Sequence, residues 1–306
     1  MTAEPFSALV DWGTSRIRLW VVARDGAILG ESRGEEGMRR CIEHGFAPTL
    51  AKHLAAAGGR AGLPAMICGM AGARGAWREA AYLDTPAPLA RIPREAVRVE
   101  DANDDVRILP GVAQRDARAP NVMRGEETQL LGAVGAADDA VVCMPGTHCK
   151  WVEVKEGAIR RFSTFMTGET FEALTRHTIL AQSVESASFA PDHPAFARAA
   201  ALSLADPATA LARVFEVRAA QLLGFETAQD GAAHLSGLLI GAEVGAARRL
   251  HAGDMVTLVA SGLIASLYRA ALEASGAAVR LIDAEEAVRR GLFTAAAAVW
   301  GQGERA

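Results

Sequence analysis

Apolar residues come in short runs broken by Gly-rich turns early in the chain, and in longer amphipathic stretches toward its end. Phe6–Val10 is an apolar run that stops at Asp11, and Trp12-Gly13-Thr14-Ser15 reads as a tight turn. Arg16–Ala23 alternates with period two, which puts Ile17, Leu19 and Val21 on one strand face and Arg18 on the other. Asp25-Gly26 predicts a two-residue hairpin, because both positions tolerate positive φ, and Ala27–Ser32 is the return strand. The order recurs about 130 residues later. Ala140–Met144 is a strand leading into Pro145-Gly146-Thr147-His148; Cys149–Lys155 follows, Glu156-Gly157 is the hairpin and Ala158–Ser163 the return. Both copies continue from the turn as Gly-Ala-Ile, so the pattern reads as an internal duplication rather than two unrelated hairpins.

Between the copies the pattern predicts a helix near Phe46–Ala57, strands at Ala65–Cys68 and Val106–Leu109, a Pro-containing stretch over Asp84–Arg94, and an irregular hinge over Ala113–Asn121. An amphipathic helix over Glu126–Ala136 joins the halves. After the second hairpin come predicted helices at Gly168–Leu180, Pro194–Leu204, Ala208–Leu223 and Gly231–Leu250. Then strand Met255–Ala260, helix Leu263–Ala274, strand Val279–Ile282 and helix Ala284–Trp300 alternate. This is an α/β chain, and its 306 residues suit two domains, here 1–124 and 125–306.

Composition narrows the picture. Half the residues are hydrophobic but only 6% are aromatic, so helices rich in Ala should pack closely through small side chains. Lys plus Arg is 32 against 36 Asp plus Glu, a formal charge of −4, which lacks the basic excess that sequence-independent nucleic-acid binding needs. Every apolar run stops well short of the roughly 20 residues that span a bilayer, and Met1 to Val10 lacks the basic start of a signal peptide. The expected location is therefore cytoplasmic, with no membrane partner. Cys41, Cys68, Cys143 and Cys149 form no CxxC pair and no zinc spacing; Cys68 and Cys143 end apolar runs and read as buried thiols of a reducing compartment. There is no GK[ST] phosphate loop, no GxGxxG after a strand, no HExxH and no GxSxG.

What remains is a Gly-Thr turn in each half. Backbone N–H groups of a tight turn, with adjacent hydroxyls, make an anion cradle, and Gly lets phosphate oxygens come close. Asp11 beside the first turn suits a Mg²⁺ ion bound through water, since Mg²⁺ keeps much of its hydration. Asp11 alone reads equally as a turn cap. Together with Gly13, Thr14, Arg18 and a second Gly-Thr turn it reads as a nucleotide site.

The string Asp11-x-Gly13-Thr14-Ser15-x-x-Arg18 resembles the first phosphate motif of the sugar-kinase, actin and Hsp70 superfamily. Pro145-Gly146-Thr147 resembles its second phosphate motif, and Leu258-Val259-Ala260-Ser261-Gly262 its adenosine motif. The resemblance implies two ribonuclease-H-like domains, the actin-like ATPase fold, closing on ATP in a central cleft. A narrower resemblance lies in Asp11-Trp12-Gly13-Thr14, Gly69-Met70-Ala71-Gly72-Ala73-Arg74, Met123-Arg124-Gly125-Glu126-Glu127-Thr128-Gln129, Pro145 to Trp151 and Thr164 to Glu169. These strings are similar to the signature of 2-dehydro-3-deoxygalactonokinases, which phosphorylate 2-dehydro-3-deoxy-D-galactonate on its terminal (6-) hydroxyl in the De Ley–Doudoroff route of galactonate catabolism. Cys149 stands where that signature leads one to expect Ser, and Ala71 where it has a larger residue; neither change removes a group assigned to chemistry.

The resemblance implies ATP and Mg²⁺ as cofactors, a small sugar acid as partner, and the following roles. Thr14, Ser15, Gly146 and Thr147 cradle phosphates; Arg18 neutralises charge; Gly262 belongs to the adenosine motif. In related glycerol- and xylulose-type kinases Gly-Asp-Gln opens the helix joining the domains, and Gly125-Glu126-Glu127 stands there in this chain. Glu126 is the expected base, Glu127 the alternative, against simple helix capping. A sugar-acid carboxylate calls for a guanidinium, with Arg74 the first candidate and Arg124 the second. Gly72 and Met70 belong to the same loop, and Trp77 is either a pocket wall or plain core. His148 either bonds a phosphate oxygen or stabilises its loop; Lys150 either reaches the cleft or, as the safer reading, faces solvent; Thr167 reads as a helix N-cap. Rivals are another carbohydrate kinase, a phosphatase of the same superfamily, or a nucleotide-binding regulator, for which no helix-turn-helix precedes Asp11. A homo-oligomer is left open.

Overall fold

A computed structural model describes residues 3–100, 102, 104–135, 138–184 and 189–301. In chain order the strands and helices are β1 (Pro5–Trp12), β2 (Ile17–Ala23), β3 (Ile28–Gly34), α1 (Met38–His44), α2 (Phe46–Ala56), β4 (Ala65–Gly69), β5 (Tyr82–Asp84), β6 (Ala87–Pro88), β7 (Val97–Arg98) and β8 (Val106–Ile108). Then come β9 (Gly111–Gln114), β10 (Asn121–Met123), α3 (Glu126–Ala133), β11 (Ala140–Met144), β12 (Cys149–Lys155), β13 (Ala158–Phe165) and α4 (Thr167–His177). The rest is α5 (Pro194–Ala205), α6 (Ala210–Arg213), α7 (Glu216–Leu222), α8 (Ala228–Leu250), β14 (Met255–Val259), α9 (Gly262–Ala274), β15 (Ala278–Ile282) and α10 (Ala284–Trp300).

The chain divides into two compact units. The first holds Met1–Asp139, Val154–Arg161 and Ala284–Ala306; the second holds Ala140–Glu153 and Phe162–Asp283. The boundary expected at 124/125 does not coincide with this division. Helix α3 stays with the first unit because α10 returns there and packs on it. A Cβ on Gly132 would lie 2.0 Å from the Ala287 carbonyl, and one on Gly291 would lie 1.9 Å from that of Thr128, so only glycines allow this approach.

The duplication is visible in topology. Besides a three-stranded sheet, β10-β9-β5, there are two six-stranded ones: the first unit's runs β3-β2-β1-β4-β8, with β7 added at the edge, and the other runs β13-β12-β11-β14-β15, with β6 added beside β13. Both are third, second, first, fourth, fifth in their own chain order. β1 is antiparallel to β2 and parallel to β4, and β11 is parallel to β14. The tip of the β12–β13 hairpin belongs to the first unit, where Ala158 and Ile159 pair with Pro88 and Ala87. The two hairpins differ. Glu156 and Gly157 both have positive φ, as a two-residue turn requires. In the first copy the Ala23 N–H bonds to the Ala27 carbonyl at 2.9 Å and only Gly26 is left-handed, so that loop has three residues, Arg24 to Gly26.

The small-residue helices pack as their composition suggests. Gly237, Gly241 and Gly245 on α8 lie against the carbonyls of Phe196, Ala200 and Leu204 on α5, where a Cβ would come within 2.4 to 2.6 Å. The stretch expected as one helix over Ala208–Leu223 is instead a 3-10 turn, α6 and α7. Only Ala210 and Val217 in α6 and α7 are buried, which is too little apolar stripe to hold one long helix. The irregular hinge expected over Ala113–Asn121 is bounded by the paired strands β9 and β10, in register from Gln114 opposite Asn121. Helix α3 ends at Ala133; Ala136, its expected last residue, lies outside the described residues. Among the described residues no helix is long and apolar enough to cross a membrane. All four cysteines are free and buried, as expected for Cys68 and Cys143.

Candidate functional site

In the first unit, chemistry gathers at the carboxyl ends of β1 and β4, where ligands collect in open α/β sheets. Asp11 pairs across the ladder with Arg18, whose Nη2 donates to Asp11 Oδ2 at 2.5 Å. Arg18 Nη1 also reaches Glu285 on α10 at 3.3 Å, and Glu285 takes Arg33 in a two-point pair at 2.5 and 2.9 Å. Those bonds from Arg33 hold the Glu285 carboxyl below its ordinary range against the effect of burial. Asp11, Gly13, Arg16, Arg18 and Arg33 line one half-open cavity of 580 Å³. Arg16, Arg33 and Glu285 were not singled out by sequence; an Arg on each of two paired strands was the available signal.

The first Gly-Thr turn is closed by the Gly13 N–H to the Arg16 carbonyl at 2.8 Å. Its outer carbonyls are held by α1: Met38 N–H donates to Gly13 and Arg39 N–H to Thr14, at 3.0 and 3.2 Å. Gly37 permits this, since a Cβ there would lie 2.4 Å from the Ser15 backbone. The N–H groups and hydroxyls of Thr14 and Ser15 have no partner among the described residues, which is what an anion cradle needs.

Helix α3 brings its N-terminus to the same end of the sheet. Gly69 at the end of β4 has φ +88°, and a Cβ on Gly125 would lie 3.6 Å from its Cα. The Cys68 thiol points at Asp11 Oδ1 at 3.8 Å, and both Asp11 and Glu127 act, after burial, to raise its pKa. Glu126 is half-buried, and its Oε2 accepts the backbone N–H of Arg124 at 3.0 Å. Glu127 is fully buried; it accepts the Gly125 N–H at 2.7 Å and the Thr128 hydroxyl at 3.0 Å. Burial, and then the neighbouring Glu126, raise the Glu127 carboxyl to about 7. Of the two, Glu126 is the more exposed.

The loop after β4 is split in its placement. Gly72 packs on Arg124, where a Cβ would meet Nη1 at 2.9 Å. Arg124 donates to the Ala80 carbonyl at 2.8 Å and lies over the Tyr82 ring at 4.5 Å, while its Nε and Nη1 are enclosed without partners. No carboxylate among the described residues pairs with it. Met70 is half-buried beside Gly72, whereas Arg74 is exposed and makes no bond with a described residue. Trp77 stacks on Phe46 at 5.7 Å and meets Trp12 edge-on at 5.9 Å. Trp12 neighbours Asp11 on a strand, so Trp77 packs on the sheet face away from Asp11.

In the second unit the Gly146-Thr147-His148 turn is exposed, and α4 supports it. Gly168 lies so close that a Cβ would sit 2.4 Å from the Gly146 carbonyl, and the Glu169 N–H donates to the Thr147 carbonyl at 3.0 Å. His148 Nε2 pairs with Glu169 at 2.6 Å. Two expectations are corrected here. Lys150 is buried, with Nζ on the His148 carbonyl at 3.2 Å, rather than solvent-facing. Thr167 is the first helical residue, not the N-cap, because its hydroxyl is drawn to the buried Glu243. An apolar pocket of 250 Å³ runs from Gly146, Thr167 and Gly168 to Leu263, Ile264 and Tyr268 on α9. Gly262, with φ +63°, opens α9 after Ser261, whose hydroxyl donates to Asp283 at 2.7 Å.

Comparison with known proteins bears on the family. The sequence profile of the 2-keto-3-deoxy-galactonokinase family matches residues 11–295. A Rhizobium meliloti (strain 1021) protein named "Probable 2-dehydro-3-deoxygalactonokinase" is 51% identical over 304 residues, 98% of this chain and 99% of that one. The Escherichia coli (strain K12) 2-dehydro-3-deoxygalactonokinase is 35% identical over 292 residues, 95% and 97% of the two chains. A crystal structure from Sinorhizobium meliloti under the same provisional name superposes with a TM-score of 0.93, at 51% identity over 96% of this chain and 99% of that one. A more distant likeness, at 15% identity and a TM-score of 0.53, is to the (R)-2-hydroxyglutaryl-CoA dehydratase component A of Acidaminococcus fermentans; it covers 96% and 98% of the chains and bears on the fold alone. With both six-stranded sheets built on the third-second-first-fourth-fifth order and the family profile running through both units, the chain belongs to the 2-keto-3-deoxy-galactonokinase family, kinases of the actin-like ATPase fold.

Proposed function

We propose that the chain transfers the γ-phosphoryl group of ATP to the terminal hydroxyl of 2-dehydro-3-deoxy-D-galactonate. The observation that carries this reading is the convergence in one unit of an open phosphate turn, the Asp11–Arg18 pair and the Glu126 carboxylate at the ends of β1 and β4. In-line phosphoryl transfer asks the protein chiefly for positioning and charge stabilisation. Gly13, Thr14 and Ser15 bind phosphate, as do Gly146, Thr147 and His148 of the second turn. Arg18 offsets the charge that develops in transfer. Glu126 takes the proton of the attacking hydroxyl, and Glu127 fixes the start of its helix. Gly262 and the apolar pocket beside Gly146 take the nucleoside, for which flat apolar walls are suited.

Asp11 is the residue that fits a magnesium ion. Among the described residues no group of three or more acidic, His or Cys side chains could hold a metal alone. One carboxylate beside a phosphate turn matches an ion that is bound mostly by phosphate and water. Such an ion would neutralise phosphate charge. The sugar-acid carboxylate goes to Arg74, which is exposed and bonds to no described residue, or to Arg124, two residues before Glu126; Met70, Gly72 and Trp77 shape the loop after β4. We place the protein in the cytoplasm, where ATP is plentiful and four free thiols stay reduced.

The test is ATP consumption against a panel of 2-keto-3-deoxy sugar acids and neutral sugars. The sugar acid should be turned over with one ADP per acceptor. Preference for neutral sugars, or phosphate release without an acceptor, would overturn the reading.

A further inference from the structure

We infer that Glu243, far from the first turn in sequence and outside every motif, is the positioning residue of the second phosphate turn. The inference rests on the reading that this turn binds ATP. Glu243 is 3% exposed on α8, and both of its oxygens are used. Oε1 accepts the indole N–H of Trp151 at 2.9 Å. Oε2 accepts the Tyr268 hydroxyl at 2.6 Å and the Thr167 hydroxyl. One carboxylate thus ties α8 to β12, α9 and the first residue of α4.

From Glu243 two routes lead to the same turn. Through Thr167 it fixes the start of α4, and the next two residues hold the turn directly: Gly168 against the Gly146 carbonyl and Glu169 N–H on the Thr147 carbonyl. Through Tyr268 it meets Cys149 Sγ at 3.1 Å, and that sulfur lies 3.5 Å from the Gly146 nitrogen and 3.3 Å from its carbonyl. Burial pushes the Cys149 thiol up to about 11, so it serves as a neutral donor here and not as a nucleophile. Thr167 and Tyr268 also line the 250 Å³ apolar pocket, so the same carboxylate sets that wall. A buried carboxylate is costly unless its lone pairs are filled, and three donors converging from three elements fill them. A hydrophobic core needs no such group at this place; a turn whose backbone must be held in one shape does.

The experiment is nucleotide titration by calorimetry, without sugar, of wild type, Glu243→Gln, Thr167→Val and Thr167→Ser, with steady-state kinetics alongside. Glu243→Gln turns an acceptor into a donor facing two hydroxyls, and Thr167→Val removes one donor at constant shape. We expect ATP affinity and KM for ATP to worsen about tenfold or more in Glu243→Gln, less in Thr167→Val, and to recover in Thr167→Ser. KM for the sugar acid should stay within twofold in all three. A merely structural role would lower the melting temperature while leaving the folded fraction with wild-type ATP affinity, and that result overturns the inference. If Glu243→Gln does not fold, the Thr167 pair decides alone: equal ATP affinity in Thr167→Val and Thr167→Ser overturns it. If wild type itself binds no ATP, the parent reading fails instead.

Discussion

The two Gly-Thr turns occupy the same place in the same strand order, yet they are built differently. The first is surrounded by charge: Asp11, Arg18, Glu285 and Arg33 run as a chain of alternating ion pairs, with Arg16 on the same cavity. Its backbone is held by the N–H groups of α1. The second carries one exposed His–Glu pair, and beneath it lies a buried polar knot around Glu243. On the proposed reading a duplicated fold supplies two phosphate loops, and local packing divides the labour. The first turn is set among charged side chains; the second rests on a buried hydrogen-bonded support.

Four tests probe that division. The largest effect is expected for Glu126→Gln, which keeps size and removes proton acceptance. Turnover should fall about 10²–10⁴-fold, the usual contribution of a general base, with ATP affinity intact. If Glu127→Gln is inactive instead while Glu126→Gln is near wild type, the two carboxylates exchange roles.

The second test uses pH. Burial raises Glu127 from 4.5 to about 7, so the folded chain keeps a proton that the unfolded chain has already lost between those values. Stability from this group is full below about pH 4.5 and declines as pH rises to about 7, by at most about 3 kcal/mol at 1.36 kcal/mol per unit. Thermal melts from pH 5 to 8 should show Glu127→Gln gaining on wild type as pH rises. Parallel curves would mean that the group titrates normally.

Third, Arg74→Ala should cost at least about thirtyfold in kcat/KM for the sugar acid, since losing the partner of a desolvated charge costs about 2–5 kcal/mol. Arg74→Lys should recover part of it. If Arg124→Ala carries the loss, the carboxylate is bound beside α3.

The smallest effects are expected from added methyl groups. Gly168→Ala and Gly37→Ala each place a Cβ 2.4 Å from the backbone of a phosphate turn. Overpacking of this kind costs roughly 1–3 kcal/mol. Gly168→Ala should raise KM for ATP about tenfold, and Gly37→Ala should lower kcat more than it raises KM. Equal patterns in the two would erase the distinction between the turns.

The sequence by itself determined the duplication, the two turns and the grouping of Asp11 and Arg18 about the first of them; that the two pair with each other came from the structure. Period-two alternation and Gly-rich turns act over a few residues, so they are legible in one dimension. It also placed Glu126 and Glu127 at a helix start, because capping is local. Only the tertiary structure decided that Glu127 is sealed and Glu126 open, since burial depends on what α3 packs against. The same holds for Lys150, which sits on an apparently ordinary strand but is buried, and for Thr167, whose local cap was outbid by a distant carboxylate. Glu243 and Glu285 carried no signal at all: one lies within α8 and the other in the first turn of α10, and each acquires its partners only when strands and helices distant in sequence fold against it. Local hydrogen bonding is written in neighbours, whereas desolvation and charge pairing are properties of the packed chain.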